Sequence, residues 1–369
     1  MPNKKIKKGS LPVNVYTEWA PLKEIVLGTC LNFNMDGFDE AFEILYRDNI
    51  KNALESEKKQ IFKISKQYTI ERQNDLDNFA KILTKRGILV RRPRRLDEPR
   101  VIRTPFFTSI TNAVDSPRDM FLCLGNEIIE TPQTNRKRYF EGMLMRDIFM
   151  DYFRRGAPWT CAPTPQLSAT SIDNVHWSKV KKIHSIQRIE TKYDIAFDAA
   201  NCLKFGEDIL MNIGNKNHEL GALWLQRHFE NKFRIHPVRL TDLHIDGMLM
   251  PLRYGLLLIN PLMRKKIHLL PRALQKWKMI EAPDENKKFR YKKDHLQLAS
   301  FAGMSVNVLS LDEKTICVRD EDKSLGDLLE KNKFNVVPVK LRHCELFGGG
   351  LHCATLDVRR DEKKANYWK

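Results

Sequence analysis

The sequence predicts an α/β fold made of five units in the order strand, strand, helix, strand. The units close into a roughly five-fold arrangement, with helices outside and strand ends meeting at a central channel. Three observations predict this. Apolar runs of strand length recur five times, many folded across a short turn; each is followed by apolar residues at three- and four-residue spacing; and each of those is followed by a short extended segment near a proline. Identity between the units is negligible, so the repeat is one of pattern. Units that cannot bury both faces alone are expected to pack in a ring.

The strand runs are KEIVLG (23–28), MFLCLGNEIIE (120–130), ANCLKFGEDILMNIG (200–214), MLMPLRYGLLLIN (248–260) and VNVLSLDEKTICV (306–318). Their turns carry Gly-Asn, Gly-Glu-Asp, Arg-Tyr-Gly and Asp-Glu-Lys, residues suited to hairpins. Helical spacing then covers Asp75 to Arg86, Arg136 to Arg155, Glu219 to Phe229, Leu270 to Trp277 and Leu325 to Asn332. The closing extended segments are ILVRRP, WTCAPTP, FRIHPVRL, KMIEAP and FNVVPVKL. No low-complexity linker divides the chain, so a single domain is expected over 13–369 behind a basic tail at 1–12.

Of the 369 residues 42% are hydrophobic, which suits a globular core and excludes a disordered chain. The most apolar stretch, GMLMPLRYGLLLINPLM, is interrupted by Arg253 and falls short of the ~18 residues of a membrane span. The start, MPNKKIKKGSLP, has charge but no following apolar segment, so a cytoplasmic protein with a solvated tail is expected. Seven scattered cysteines, none in C-x-x-C spacing, argue against a disulfide framework and a structural zinc site. The formal charge of +17, with KKIKK near the start, RRPRR at 91–95 and KKFRYKK at 287–293, invites a nucleic-acid reading. No zinc finger, RNP-type strand or helix-turn-helix accompanies these runs, and acidic residues are interspersed, so the excess reads as a soluble surface.

If strand ends converge on an axis, polar residues there are the candidate site. They are Asp119 in SPRDM, Asp198 in FDAAN, His244 and Asp246 in LHID, and Cys353 in GGGLHCATLDVRR. On an extended strand His244 and Asp246 would share a face, and His352 would point away from Cys353. A cysteine, a histidine and several carboxylates can supply a nucleophile, a general acid/base and a clamp for a cation. Structural readings stand beside these: a turn-capping Asp198, a surface Asp119, a satisfied His244 and a buried core Cys353. The triple glycine is no phosphate loop, because no Gly-Lys-Ser/Thr follows it.

The segments VNVYTEWAPLKEIVLGT, SPRDMFLCLGNEIIETP, RDIFMDYFRRGAPWTCAPTP, FDAANCLKFGEDIL, HIDGMLMPLRYGLLLINP and GGGLHCATLDVRR, in order from Val13 to Arg360, resemble the amidinotransferase family. The FDAA, HID and GGG-x-HC motifs together are specific. The resemblance implies a five-bladed α/β propeller that transfers the amidino group of L-arginine to an amine and releases ornithine. It implies Cys353 as nucleophile, His244 as general acid/base, Asp198 as its partner, and Asp119 and Asp246 as guanidinium ligands. No metal or organic cofactor is implied, and a homodimer is compatible with it.

An arginine-deiminase-like hydrolase, forming citrulline, would use the same residue set, and a basic nucleic-acid binder without activity is the reading from another class. One departure bears on the acceptor. Family members that act on glycine have a longer loop before HID, a small hydroxylated residue at the position of Phe301 and an arginine at that of Met263. Here RLTDLHID enters the motif quickly, with Arg264 and Ser300 as neighbouring substrate-binding candidates. An acceptor larger than glycine is therefore expected.

Overall fold

The computed structural model describes residues 11–34, 64–172, 192–283 and 301–369. Each apolar hairpin run from the second to the fifth folds on itself, because its alternating side chains bury both faces and its turn residues tolerate the required backbone. Phe121–Leu124 pairs antiparallel with Glu127–Glu130 across Gly125, whose φ of 60° suits a two-residue hairpin turn. Likewise Cys202–Phe205 pairs with Asp208–Asn212, Leu249–Arg253 with Leu256–Ile259, and Leu309–Ser310 with Thr315–Arg319. After a helical crossover, a third strand adds in parallel to each: Trp159–Cys161, Arg234–Val238, Lys278–Glu281 and Asn335–Val339.

The first unit departs from the expected order. Leu22–Leu27 has no hairpin mate of its own; it pairs in parallel with Leu89–Arg91 and antiparallel with Thr355–Arg360 from the other end of the chain. The first unit's three-stranded sheet is thus completed by the last strand. A two-stranded hairpin, Val101–Arg103 with Thr108–Ile110, is added between the first and second units.

The helices lie where the spacing placed them, with three differences. The first starts earlier, spanning Lys66–Lys85 from a Ser65 cap, because its early buried face is polar: Thr69, Arg72 and Gln73. The second breaks into a 3-10 turn at Arg136–Arg138 and a helix at Glu141–Arg154. In the fourth unit only Arg272–Gln275 is α-helical; Pro271 stands immediately before it, and 3-10 turns at Pro261–Lys265 and Ile267–Leu269 fill the rest of the crossover. The remaining two are Lys216–Phe229 and Lys323–Lys331.

Packing runs from the first sheet to the fifth and back. Alternate residues of a strand face opposite sides. Phe121 and Cys123 therefore join Val26, Leu356 and Val358 of the first sheet, whereas Leu122 and Leu124 join Ile209 and Met211 of the third. Leu203 and Leu210 continue into a core with Leu249, Met250, Leu252 and residues 256–259 of the fourth sheet and with Ile316 and Val318 of the fifth. Leu309, Cys317 and Val337 of the fifth pack on Leu22, Ile25 and Leu27 of the first. Among the described residues no helix is long and apolar enough to cross a membrane.

Candidate active site

Each sheet is entered through a short turn, and these turns are where the polar candidates sit. Pro117–Met120 precedes Phe121 and carries Asp119; Asp198 precedes the 3-10 turn Ala199–Asn201 and Cys202. His244 precedes the 3-10 turn Ile245–Gly247, which carries Asp246. Phe301–Val306 is followed by Asn307 and Leu309, and residues 351–354 form the turn that carries Cys353 into Thr355. Neighbouring turns touch one another: Pro117–Met120 with Ala199–Asn201, that with Ile245–Gly247, that with Phe301–Val306, and Pro117–Met120 with the last strand. The side chains therefore converge because five topologically equivalent positions meet, although their sequence numbers run from 119 to 353.

All of the polar candidates on these turns are buried or nearly so. The Cys353 Sγ lies 3.3 Å from Asp246 Oδ2 and 3.1 Å from Asn307 Nδ2. His244 Nε2 is 2.9 Å from Asp198 Oδ2, and its Nδ1 is 3.7 Å from Asp119 Oδ1. Asp198 Oδ1 accepts from the backbone N–H and the hydroxyl of Thr134. Asp119 is held on one side only: Arg138 Nη1 donates to its Oδ2 at 2.6 Å, while Oδ1 is buried without a hydrogen-bond partner. A buried lone acceptor is costly unless a ligand meets it.

Protonation follows from these neighbours. Burial works against a charged His244, but Asp119, Asp198 and Asp246 outweigh it and push the imidazole up to about 9, so it is an imidazolium at neutral pH. Burial, then the Asp246 and Asp119 carboxylates, push the Cys353 thiol well above its usual range. Burial would raise Asp246, but the hydrogen bond and charge of His352 and the charge of His244 hold it down; Asp198 is held down in the same way by His244. Asp119 is raised by burial despite His244 and Arg138. The resting centre holds a neutral thiol against Asp246, an imidazolium against Asp198 and Asp119, and a surplus of carboxylate, an arrangement that favours a planar cation.

A second layer of charge braces this one. Glu18 pairs with Lys204 at 2.7 Å and Arg118 at 3.4 Å, and Arg118 pairs with Asp357 at 2.6 Å, all of them buried. His352 stands between Glu18 (3.3 Å) and Asp246 (2.8 Å). Arg138 also meets Glu141, closing a buried Asp119–Arg138–Glu141 bridge.

Two geometric expectations are corrected. His352 does not face away from Cys353, because both lie in a turn and not on a strand, and both reach Asp246 Oδ2. His244 and Asp246 come together through a 3-10 turn instead of an extended strand. Arg264 is exposed and ion-paired with Glu281, with no described contact to the cluster, and Met263 is buried in the core. Ser300 lies outside the described residues. Asn307, Arg138 and Glu18 join the site from outside the sequence-based candidate set. Asn307 has a legible signal: it stands two residues ahead of Leu309, as Cys353 does ahead of Thr355 and Asp119 ahead of Phe121.

The RRPRR run is paired rather than free: Arg91 with Asp151, Arg92 and Arg95 with Asp77, and Arg94 with Asp97. All seven cysteines are unbridged.

No family model matches the sequence. The chain is 32% identical over 366 residues, 96% of each chain, to an L-arginine:L-lysine amidinotransferase of Pseudomonas savastanoi pv. phaseolicola. It is 33% identical over 355 residues to inosamine-phosphate amidinotransferase 1 of Streptomyces griseus, covering 95% of this chain and 98% of that one. Among solved structures, an amidinotransferase of the saxitoxin biosynthetic pathway from Microseira wollei superposes with a TM-score of 0.84 at 31% identity, covering 96% and 99% of the two chains. With these full-length relatives and a buried thiol set among carboxylates and an imidazolium, the chain belongs to the amidinotransferase family, enzymes that transfer amidino groups.

Proposed function

We propose that this enzyme takes the amidino group of L-arginine, carries it on Cys353 and passes it to an amine larger than glycine, within one five-bladed α/β propeller domain. The observation that carries this is the grouping of a buried thiol with Asp246, His244, Asp198 and an Asp119 oxygen that faces His244 at 3.7 Å but accepts no hydrogen bond. Asp119 and Asp246 would take the guanidinium, whose delocalised charge makes it a poor electrophile until fixed. Its arrival adds positive charge beside a thiol that carboxylates keep protonated, and so favours the thiolate.

The thiolate attacks the central guanidinium carbon. The bond from that carbon to the side-chain nitrogen breaks as the His244 imidazolium donates its proton to that nitrogen, and ornithine leaves. His244, now neutral and steadied by Asp198, takes a proton from the incoming amine. The amine attacks the amidino carbon, the C–S bond breaks and the sulfur keeps the electron pair.

The acceptor reading is supported by what stands near the entrance to the fourth sheet. Met263 is in the core and Arg264 is turned to Glu281, so neither offers a cation to the carboxylate of a small amino acid. Relatives named for lysine and inosamine phosphate accord with a larger amine, while glycine amidinotransferases are similar at 30–31% identity, so the reading rests on Met263 and Arg264.

Incubation with arginine alone, followed by mass spectrometry, should place one amidino group on the Cys353 peptide. Arginine with a panel of amines should give ornithine only when an amine is present. Citrulline formed without an amine would overturn the transfer reading, and glycine outperforming every larger amine would overturn the acceptor reading.

A further inference from the structure

Two of the three glycines before Cys353 have a spatial cause. A Cβ on Gly349 would stand 2.6 Å from Ser116 Oγ and 3.1 Å from Cys353 Cβ. One on Gly350 would stand 2.7 Å from Asn307 Oδ1 and 2.9 Å from Asn307 Cβ. The missing side chains let this loop close directly onto Asn307, a buried residue from the fifth unit.

The Asn307 side chain is turned wholly toward the Cys353 turn. Its Oδ1 accepts from the backbone N–H of His352 at 3.0 Å and of Cys353 at 3.1 Å, and its Nδ2 donates to Sγ at 3.1 Å. Its backbone carbonyl also accepts from His352 N–H. The accepting oxygen orients the amide, because two fixed N–H groups on one side leave Nδ2 aimed at the sulfur.

We infer that Asn307 is a catalytic residue: its Nδ2–H is the donor that stabilises the Cys353 thiolate, and its Oδ1 fixes the turn that aims the sulfur. When the S–H bond ionises, the proton is released to water and the sulfur retains the electron pair, which accepts the Nδ2–H. Asp246 and Asp119 oppose this anion, so some donor has to favour it. A lysine or arginine in that place would also repel a guanidinium substrate; a neutral amide stabilises the anion without that repulsion. The inference rests on Cys353 being the nucleophile.

The test is the pH dependence of iodoacetamide labelling of Cys353 in substrate-free enzyme, resolved by peptide mass. Asn307→Ala removes the donor without adding charge, and labelling at mildly alkaline pH should fall about tenfold or more, with the midpoint moved to higher pH. Gly350→Ala, which changes no charge but displaces Asn307, should move the profile in the same direction and serves if Asn307→Ala does not fold. A folded variant of either kind with the wild-type labelling profile would overturn the inference. An amidino adduct found on Cys344 instead of Cys353 would sink the nucleophile assignment separately, leaving the labelling result readable.

Discussion

Asp246→Asn is expected to weaken arginine binding and, in the same variant, to make the Cys353 thiol more acidic. The substitution keeps the shape of a fully buried group and removes its charge. Loss of one partner from a buried, hydrogen-bonded charge pair typically costs ~2–5 kcal/mol, or roughly 30-fold to several thousand-fold in affinity. The opposite effect on the thiol comes from the 3.3 Å between Sγ and Oδ2. At an effective dielectric of about 20, two negative charges at that separation repel by roughly 5 kcal/mol, an upper bound. Relieving even a third of it lowers the thiol midpoint by about one pH unit. Arginine affinity is measured by calorimetry in a Cys353→Ser background, where turnover is blocked, and thiol acidity by the alkylation profile of Asp246→Asn alone. An unchanged affinity, or a thiol midpoint that moves upward, would refute the reasoning.

Cys353→Ser should abolish ornithine formation while arginine still binds, since the hydroxyl is a far weaker nucleophile and the carboxylates are untouched; loss of calorimetric arginine binding would contradict this. His244, raised to about 9 in the folded chain, contributes stability that is fully present below its unfolded value of about 6.5 and is lost as pH rises through about 9. The stability difference between the wild type and His244→Gln, followed by urea unfolding, should therefore shrink across that window by up to about 3 kcal/mol, and a difference that grows with pH would contradict the ion-pair account. Arg138→Leu leaves Asp119 and Glu141 buried without their cation and should cost about 3–5 kcal/mol in urea unfolding, with loss of activity; a variant as stable as wild type would show that the bridge holds nothing.

Particular residues show what kind of information the chain displays locally. Asp119, Asp198, His244, Asp246 and Cys353 were legible because each stands just ahead of an apolar run, and a charged or nucleophilic group there asks for a reason. Asn307 occupies the equivalent place in its own unit but is a neutral amide, a residue type common in turns, so its position ahead of the strand is its one local sign. Glu18 is 334 residues away from its His352 partner, and only the folded chain brings them together. Arg138 lies in a stretch whose helical spacing hid the break at Tyr139 and Phe140, which frees it to reach Asp119.

By itself the sequence determined the order strand, strand, helix and strand in the second to fifth units, and the residue types able to bind a cation and attack it. Hairpin turns and apolar periodicity act between near neighbours, and each unit states them independently. Tertiary structure decided the rest. The pairing of Leu22–Leu27 with Thr355–Arg360 joins two ends of the chain, and no local pattern specifies such a partner. It also decided that His352 and Cys353 share Asp246, which a strand would have forbidden and a turn allows. The protonation of the pair was decided there too: burial and two of the carboxylates that raise His244 to about 9, Asp246 and Asp119, push the Cys353 thiol up. Desolvation and charge are sums over every segment that packs around a group, and those segments come from four different units of this chain.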